Sequence, residues 1–293
     1  DHRDLHSFPT RRSSDLKNKA IYGGGAYDGY FNVDLDEELD NNIIERPYSL
    51  SLLHPSPKRL LVIGLSSGSW VQVFAHNPYV EEIVVVEIGS AYLKLLDEYD
   101  AVKTLKANPK VKIFIDDGRR WLNRNPSEKF DVIVANTTYN WRAHATNLLS
   151  VGFLNLVRSH LNEGGIYMYN PTGSDAAMYT GAVSFPHSIR VLNNLCVSDS
   201  PFQLDLQRWE KVLREYRIDG RPVLDLAKPK HREKLEKLLS HANKGLLSPF
   251  TTANEAKGLW YERQETLLKR LEGSLVITDD NMGTEWLVPL FSW

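Results

Sequence analysis

Between residues 58 and 200, short and nearly unbroken apolar runs alternate with stretches in which apolar residues recur every three or four positions. The runs are RLLVIG (59–64), EIVVVEI (82–88), VKIFI (111–115), DVIVA (131–135) and GIYMYN (165–170). Each is short and rich in β-branched or aromatic residues, the pattern of strands buried on both faces, as in a parallel sheet. Helices are expected between them at 69–75, 90–99, 118–123 and 150–161. The last opens on Ser150 as N-cap and closes at NEGG. This alternation predicts an α/β fold with a doubly wound, mostly parallel sheet. HSIRVLNNLCVSDSP follows and reads as two strands around Asn193-Asn194, an antiparallel hairpin at the sheet edge.

Outside this block the pattern changes. AIYGGGAYDGYFNVD alternates with glycine breaks and predicts a small N-terminal β-hairpin region. IIERPYSLSLL (43–53) predicts a helix with Pro47 in its first turn, and HPSPK turns the chain into the first sheet strand. LQRWEKVLREY, HREKLEKLLSHA and NEAKGLWYERQETLLKRL carry apolar stripes at the helical period. They are amphipathic helices that either pack on the domain or receive a partner. The segments are therefore 17–57, a hairpin region and helix; 58–200, a nucleoside-binding Rossmann-like domain; and 201–293, a mostly helical C-terminal extension. The first sixteen residues, DHRDLHSFPTRRSSDL, back-translate over every codon into one frame of a short-read sequencing adapter. They are expected to be a non-native scar and are set aside.

Composition changes this picture little. At 42% hydrophobic and 25% charged, the chain has the make-up of an ordinary globular protein. A net charge of −2 provides no general basic field for nucleic acid. No run of eighteen apolar residues is present to span a bilayer. The single cysteine, Cys196, excludes an internal disulfide and a cysteine-based metal site, and its apolar surroundings place it in the core. No pair of His, Asp or Glu has metal-ligand spacing, so no metal is expected.

The candidate chemistry stands at the ends of the predicted strands, the edge where open α/β sheets bind ligands. IGLSSGSW, after the first, supplies Gly64 and Gly68 for a tight turn, with Ser66 and Ser67 between them. Exposed N–H groups at the following helix start favour an anion or a polar ligand. Glu87 ends the second strand, nineteen residues beyond Gly68, close to the spacing at which an acid reaches ribose hydroxyls. A capping or solvent-facing role is its plain alternative. After the third strand, Asp116 or Asp117 accepts from an exocyclic adenine amine, or Asp117 N-caps the next helix. The set fits an S-adenosylmethionine-type nucleoside better than a dinucleotide, which favours a fuller glycine fingerprint.

HPSPKRLLVIG, VEEIVVVEI, VKIFIDDGRRWL, EKFDVIVAN and FLNLVRSHLNEGGIYMYN, in this order, resemble the polyamine aminopropyltransferases (spermidine synthases) over roughly residues 20–175. Tyr27-Asp28-Gly29 is similar to that family's hairpin motif. ITDDN (277–281) is similar to a segment of spermidine-synthase-like proteins often fused to membrane segments. The resemblance implies a methyltransferase-like sheet, Glu87 on ribose, Asp117 on adenine, and aminopropyl transfer from decarboxylated S-adenosylmethionine. It also implies a parent protein with upstream membrane segments, while the fragment itself is expected in the cytoplasm. A homodimer is a further expectation.

Three of the family's acids are replaced: the one in the glycine loop by Ser67, and those of the D-x-x-D pair by Asn136 and Tyr139. A diamine is cationic near neutral pH and must lose a proton to attack. Asn136 orients an amine but takes no proton. In NTTYNWRAHATNLLS (136–150) the substitutes are His144 as general base, Tyr139 as its orienting partner, Arg142 as a carboxylate clamp and Trp141 as a cover. A loop whose polar side chains bond its own backbone is the alternative. Asp279 and Asp280 are turn-forming acids or amine ligands. Ser66 and Ser67 would also admit the carboxylate of intact S-adenosylmethionine, so a methyltransferase and a non-catalytic nucleoside-binding domain stay open beside aminopropyl transfer to an unidentified small acceptor.

Overall fold

The structure is a computed structural model and describes residues 20–23, 26–35, 42–136, 146–248 and 258–282. Contacts divide the chain into two compact units. One takes the described residues up to Gly118 together with Gln207–Lys237; the other takes Arg119–Leu206 and the described residues from Leu238 onward.

In the first unit, β1 (Ala20–Gly23) and β2 (Ala26–Tyr30) form an antiparallel hairpin with a register shift between Ile21 and Tyr22. Two single-turn helices follow, α1 (Glu45–Tyr48) and α2 (Leu50–Leu53), where the sequence predicted one continuous helix over 43–53. Three parallel strands come next: β3 (Arg59–Ile63), β4 (Glu82–Glu87) and β5 (Val111–Ile115). The β3 and β4 residues after the first are all buried, as their unbroken apolar runs require. β5 departs from that expectation, since Phe114 is 44% and Ile115 47% exposed. Its pairing in this unit is with β4, so it has the burial of an outer strand.

Helices α3 (Ser69–Ala75) and α4 (Tyr92–Leu95) follow β3 and β4. The second covers only part of the predicted 90–99. The C-terminal part of the unit is α8 (Leu206–Glu215, its first residue still in the second unit), the tight hairpin β10 (Arg217–Ile218) and β11 (Arg221–Pro222), and the start of α9 (Pro229–Ala242). Helix α8 is tied to the N-terminal helices: Trp209 Nε1 donates to the Tyr48 carbonyl at 2.7 Å and Arg208 Nε to that of Ser51 at 2.8 Å. Lys234 of α9 forms an ion pair of 2.6 Å with Glu45 of α1, both nearly without solvent.

The second unit opens with α5 (Gly118–Arg124, its first residue still in the first unit) and holds the parallel pair β6 (Phe130–Ala135) and β7 (Leu161–Tyr169). Between these strands runs α6 (Val151–Ser159). Its predicted cap is present: Ser150 Oγ accepts from the Phe153 N–H at 3.2 Å. After α7 (Asp175–Ser184) the chain makes the antiparallel hairpin β8 (His187–Val191) and β9 (Asn194–Ser198). Its turn is Leu192-Asn193, with Leu192 at φ 57°, one position earlier than the sequence indicated.

The hairpin is not an edge. β9 pairs with β7, and β8 pairs with β12 (Tyr261–Arg263). The sequence had placed these three residues inside a helix, which here begins only at α10 (Gln264–Arg270). Tyr261 is fully buried against β8, so tertiary pairing overrides the helical stripe. Each unit has the expected α/β make-up, with helices between parallel strands, and the second adds antiparallel strands. No helix of the described residues is long and apolar enough to cross a membrane.

Candidate functional site

The chain leaves β3 through a left-handed turn. Gly64, Ser66 and Gly68 have φ of 92°, 50° and 77°. Serine carries a cost in that region, so Ser66 marks local strain held by its surroundings. Gly68 has no alternative: a Cβ there would lie 2.7 Å from Leu96 Cδ2, in a backbone conformation that L side chains avoid. The serine hydroxyls are spent inside the protein. Ser66 Oγ donates to the Asp28 carbonyl at 2.6 Å, Ser67 Oγ to Ser69 Oγ at 2.9 Å, and Ser69 Oγ to the Tyr30 carbonyl at 2.9 Å. The hairpin motif is thereby seated directly on the glycine loop. Gly29 is part of the seat, because a Cβ on it would come 2.3 Å from Ser66 Oγ.

Glu87 ends β4 and is 4% exposed. Its Oε2 accepts from the Leu65 N–H at 2.6 Å and its Oε1 from the Gly89 N–H at 2.7 Å, which fixes the carboxylate against the turn. Burial raises its pKa; the backbone donors oppose that rise, and the charge of neighbouring Asp28 adds to it. Asp28 is itself 8% exposed, and its Oδ2 accepts from the Tyr92 hydroxyl. Asp116 follows β5, its N–H bonded to the Glu87 carbonyl at 3.1 Å, and its Oδ1 accepts from the Asp117 N–H at 2.8 Å. Both aspartates are half-buried. Ile88, directly after Glu87, is 46% exposed and offers an apolar surface beside these polar groups.

The first unit thus brings together Gly64, Ser66, Ser67, Gly68, Glu87, Asp116 and Asp117. Asp28, Tyr92 and Ser69 join them without having been singled out as site residues. The YDG motif was a signal for Asp28. Tyr92, distant in sequence from its partner, left none.

In the second unit Asn136 follows β6, half-buried, next to the Asn170 N–H bond to the Ala135 carbonyl. Tyr139, Trp141, Arg142 and His144 lie outside the described residues. Asp279 and Asp280 part company. The Asp279 carboxylate holds Arg119 through two bonds, 2.6 and 3.1 Å, and accepts from Ser150 Oγ at 2.5 Å. Arg119 first, and then Ser150, pull its pKa down. The same segment is bonded to α6 from the Val151 N–H to the Ile277 carbonyl and to α7 from the Ile277 N–H to Thr180 Oγ1. Gly152 makes room for it, since a Cβ would lie 2.4 Å from Asp279 Oδ2. Asp280 is exposed. Among the described residues no group of three His, Cys, Asp or Glu is placed to hold a metal ion.

Comparison with known proteins gives the following. Residues 49–175 match the family model of the spermine/spermidine synthase domain. The polyamine aminopropyltransferase of Thermococcus onnurineus is 29% identical over 137 residues, 46% of this chain and 47% of the relative. That of Thermococcus kodakarensis is 32% identical over 143 residues, 46% of this chain and 48% of the relative. The chain thus spans about half the length of the curated relatives it matches. Among solved structures, a spermidine synthase in complex with the transition-state analogue AdoDATO aligns over 74% of this chain and 80% of its own, with TM-score 0.49 and 19% identity. Residues 49–175 are thus similar to the spermine/spermidine synthase domain, and the relatives match over a comparable share of the chain.

Proposed function

We propose that the first unit binds an S-adenosylmethionine-type nucleoside at the ends of β3, β4 and β5, and that the protein transfers an aminopropyl group from the decarboxylated form to a small amine. The carrying observation is the buried Glu87 carboxylate, held by the Leu65 and Gly89 N–H groups beside the Gly64–Gly68 turn. With its backbone donors in place, the carboxylate retains capacity to accept a ribose hydroxyl. Asp116 and Asp117 stand one strand further on to accept from an adenine amine, and Ile88 offers an apolar face for the ring. The names of the relatives support the choice of aminopropyl transfer.

In that reaction the acceptor nitrogen forms a bond to the propyl carbon as the carbon–sulfur bond breaks, and the sulfonium leaves as a neutral thioether. The acceptor's proton passes to a base. An amide such as Asn136 cannot take that proton, and the sequence's candidates for handling the acceptor are His144 as base, with Tyr139, Trp141 and Arg142. Methyl transfer is the second reading. It is favoured by Ser67, which leaves the loop without the acid that would repel the carboxylate of intact S-adenosylmethionine.

Calorimetric titration with intact and with decarboxylated S-adenosylmethionine tests both. Tighter binding of the decarboxylated form is the expected result; tighter binding of the intact form moves the assignment to methyl transfer. Binding of neither overturns the nucleoside site. Asn136→Asp is expected to introduce or raise turnover with putrescine.

A further inference from the structure

The negative charge that the family resemblance places in the glycine loop is missing at Ser67, while Asp28, whose backbone carbonyl is bonded to that loop, carries a buried carboxylate beside Tyr92. Asp28 comes from the β1–β2 hairpin. Its carbonyl takes the Ser66 hydroxyl, its carboxylate takes the Tyr92 hydroxyl, and it is 8% exposed. The neighbouring Gly29 would, with a Cβ, lie 2.3 Å from Ser66 Oγ and 3.6 Å from both the Ser67 nitrogen and its Oγ. The hairpin therefore meets the loop at its two serines. Tyr92 in turn packs beside Glu87: a Cβ on Gly89 would be 3.0 Å from the Tyr92 ring and 3.3 Å from Glu87 Oε1. Asp28 is close enough for its charge to act on Glu87.

We propose that Asp28 is a specificity-determining residue that selects cationic sulfonium nucleosides over their neutral thioether products, supplying from the hairpin the charge absent at Ser67. The inference rests on the nucleoside site proposed above and assigns its charge preference. A buried carboxylate at the loop attracts a sulfonium and a free ammonium, and gains nothing from a neutral thioether. Because the charge arrives on a hairpin held by Ser66, Ser69 and Tyr92, selection depends on the hairpin being seated.

The test compares wild type, Asp28→Asn and Tyr92→Phe in binding decarboxylated S-adenosylmethionine and neutral 5′-methylthioadenosine. Wild type is expected to favour the cationic ligand. Asp28→Asn should lose about tenfold in affinity for it, while methylthioadenosine changes by less than about twofold. Asp28→Glu should restore the preference. Equal loss for both ligands, or no loss for either, overturns the proposal and leaves Asp28 a packing residue.

Tyr92→Phe keeps the carboxylate and removes one donor to it, so it serves if Asp28→Asn does not fold. The preference for the cation should persist or widen there, and its collapse would overturn a charge effect. Binding of methylthioadenosine without any cation preference in wild type sinks the inference alone. Binding of neither ligand by wild type sinks the nucleoside site as well.

Discussion

The ion pair of Lys234 and Glu45 offers a sharp test of how the first unit is held together. The two side chains are 4% and 3% exposed and meet at 2.6 Å, joining α9 to α1 across 189 positions of sequence. Taking two charges out of water is costly, and the cost is recovered only while both are present. Lys234→Met keeps the length and most of the volume of the side chain but leaves Glu45 without this cation. The expected loss is about 3–5 kcal/mol. For a chain of this size, at roughly 2–4 °C per kcal/mol, that is a fall in Tm of about 6–20 °C. Adding Glu45→Leu removes the second charge, and the double variant should recover most of the loss.

Urea unfolding followed by circular dichroism and by tryptophan fluorescence gives the four stabilities of the cycle, with buried Trp209 reporting from the same unit. A cost below about 1 kcal/mol for Lys234→Met, or a double variant no more stable than the weaker single one, refutes the reasoning. Either result would mean that the buried charges are far better compensated than the geometry of this pair implies.

Three further outcomes follow from contacts already described. Gly29→Ala should destabilise by about 1–3 kcal/mol in urea titration and weaken nucleoside binding, and Ser66→Gly in the same chain should recover part of the stability by removing both the conflicting hydroxyl and the strained φ. Asp279→Asn should cost under about 1 kcal/mol, because the carboxylate is 45% exposed and its pairing with Arg119 is screened. Since Arg119 lowers the Asp279 pKa, this contribution is present above the ordinary carboxylate range and lost as pH falls through it; melting curves of the two proteins should converge in acid. Cys196 is fully buried and burial pushes its thiol far up, so a disulfide reagent should modify it only at the rate of unfolding; prompt stoichiometric labelling of the native protein would contradict its core position.

What the sequence disclosed depended on how local the cause was. β3, β4 and α3 were legible because burial on both faces writes a continuous apolar run and the glycines punctuate it. The Ser150 cap was legible because the cause lies within three residues of its effect. Glu87 was legible as a strand-end acid at a set distance from the turn. β12 was not: Tyr261–Arg263 become a strand only through pairing with residues some seventy positions earlier, and their local pattern is helical. Asp28 with Tyr92 was hidden for the same reason, since two residues far apart in sequence become neighbours only when the hairpin is seated. Asp279 read as a turn-forming acid or an amine ligand, and its bonds to Arg119 and Ser150 are a fact that no spacing encodes.

The order in which the two units use the chain has a consequence for synthesis. The first unit needs Gln207–Lys237, and the second needs the residues from Leu238 onward. A ribosome that has made residues 1–206 has released neither in complete form: the first still lacks Trp209 and Lys234, and the second lacks β12 and Asp279. Domains that are continuous in sequence can fold one after another as they emerge. Here the nascent chain must wait with unfinished surfaces until the residues from Leu238 onward arrive. Stop codons or deletions placed after the family-matched segment 49–175 should therefore yield aggregation-prone fragments rather than a smaller working domain.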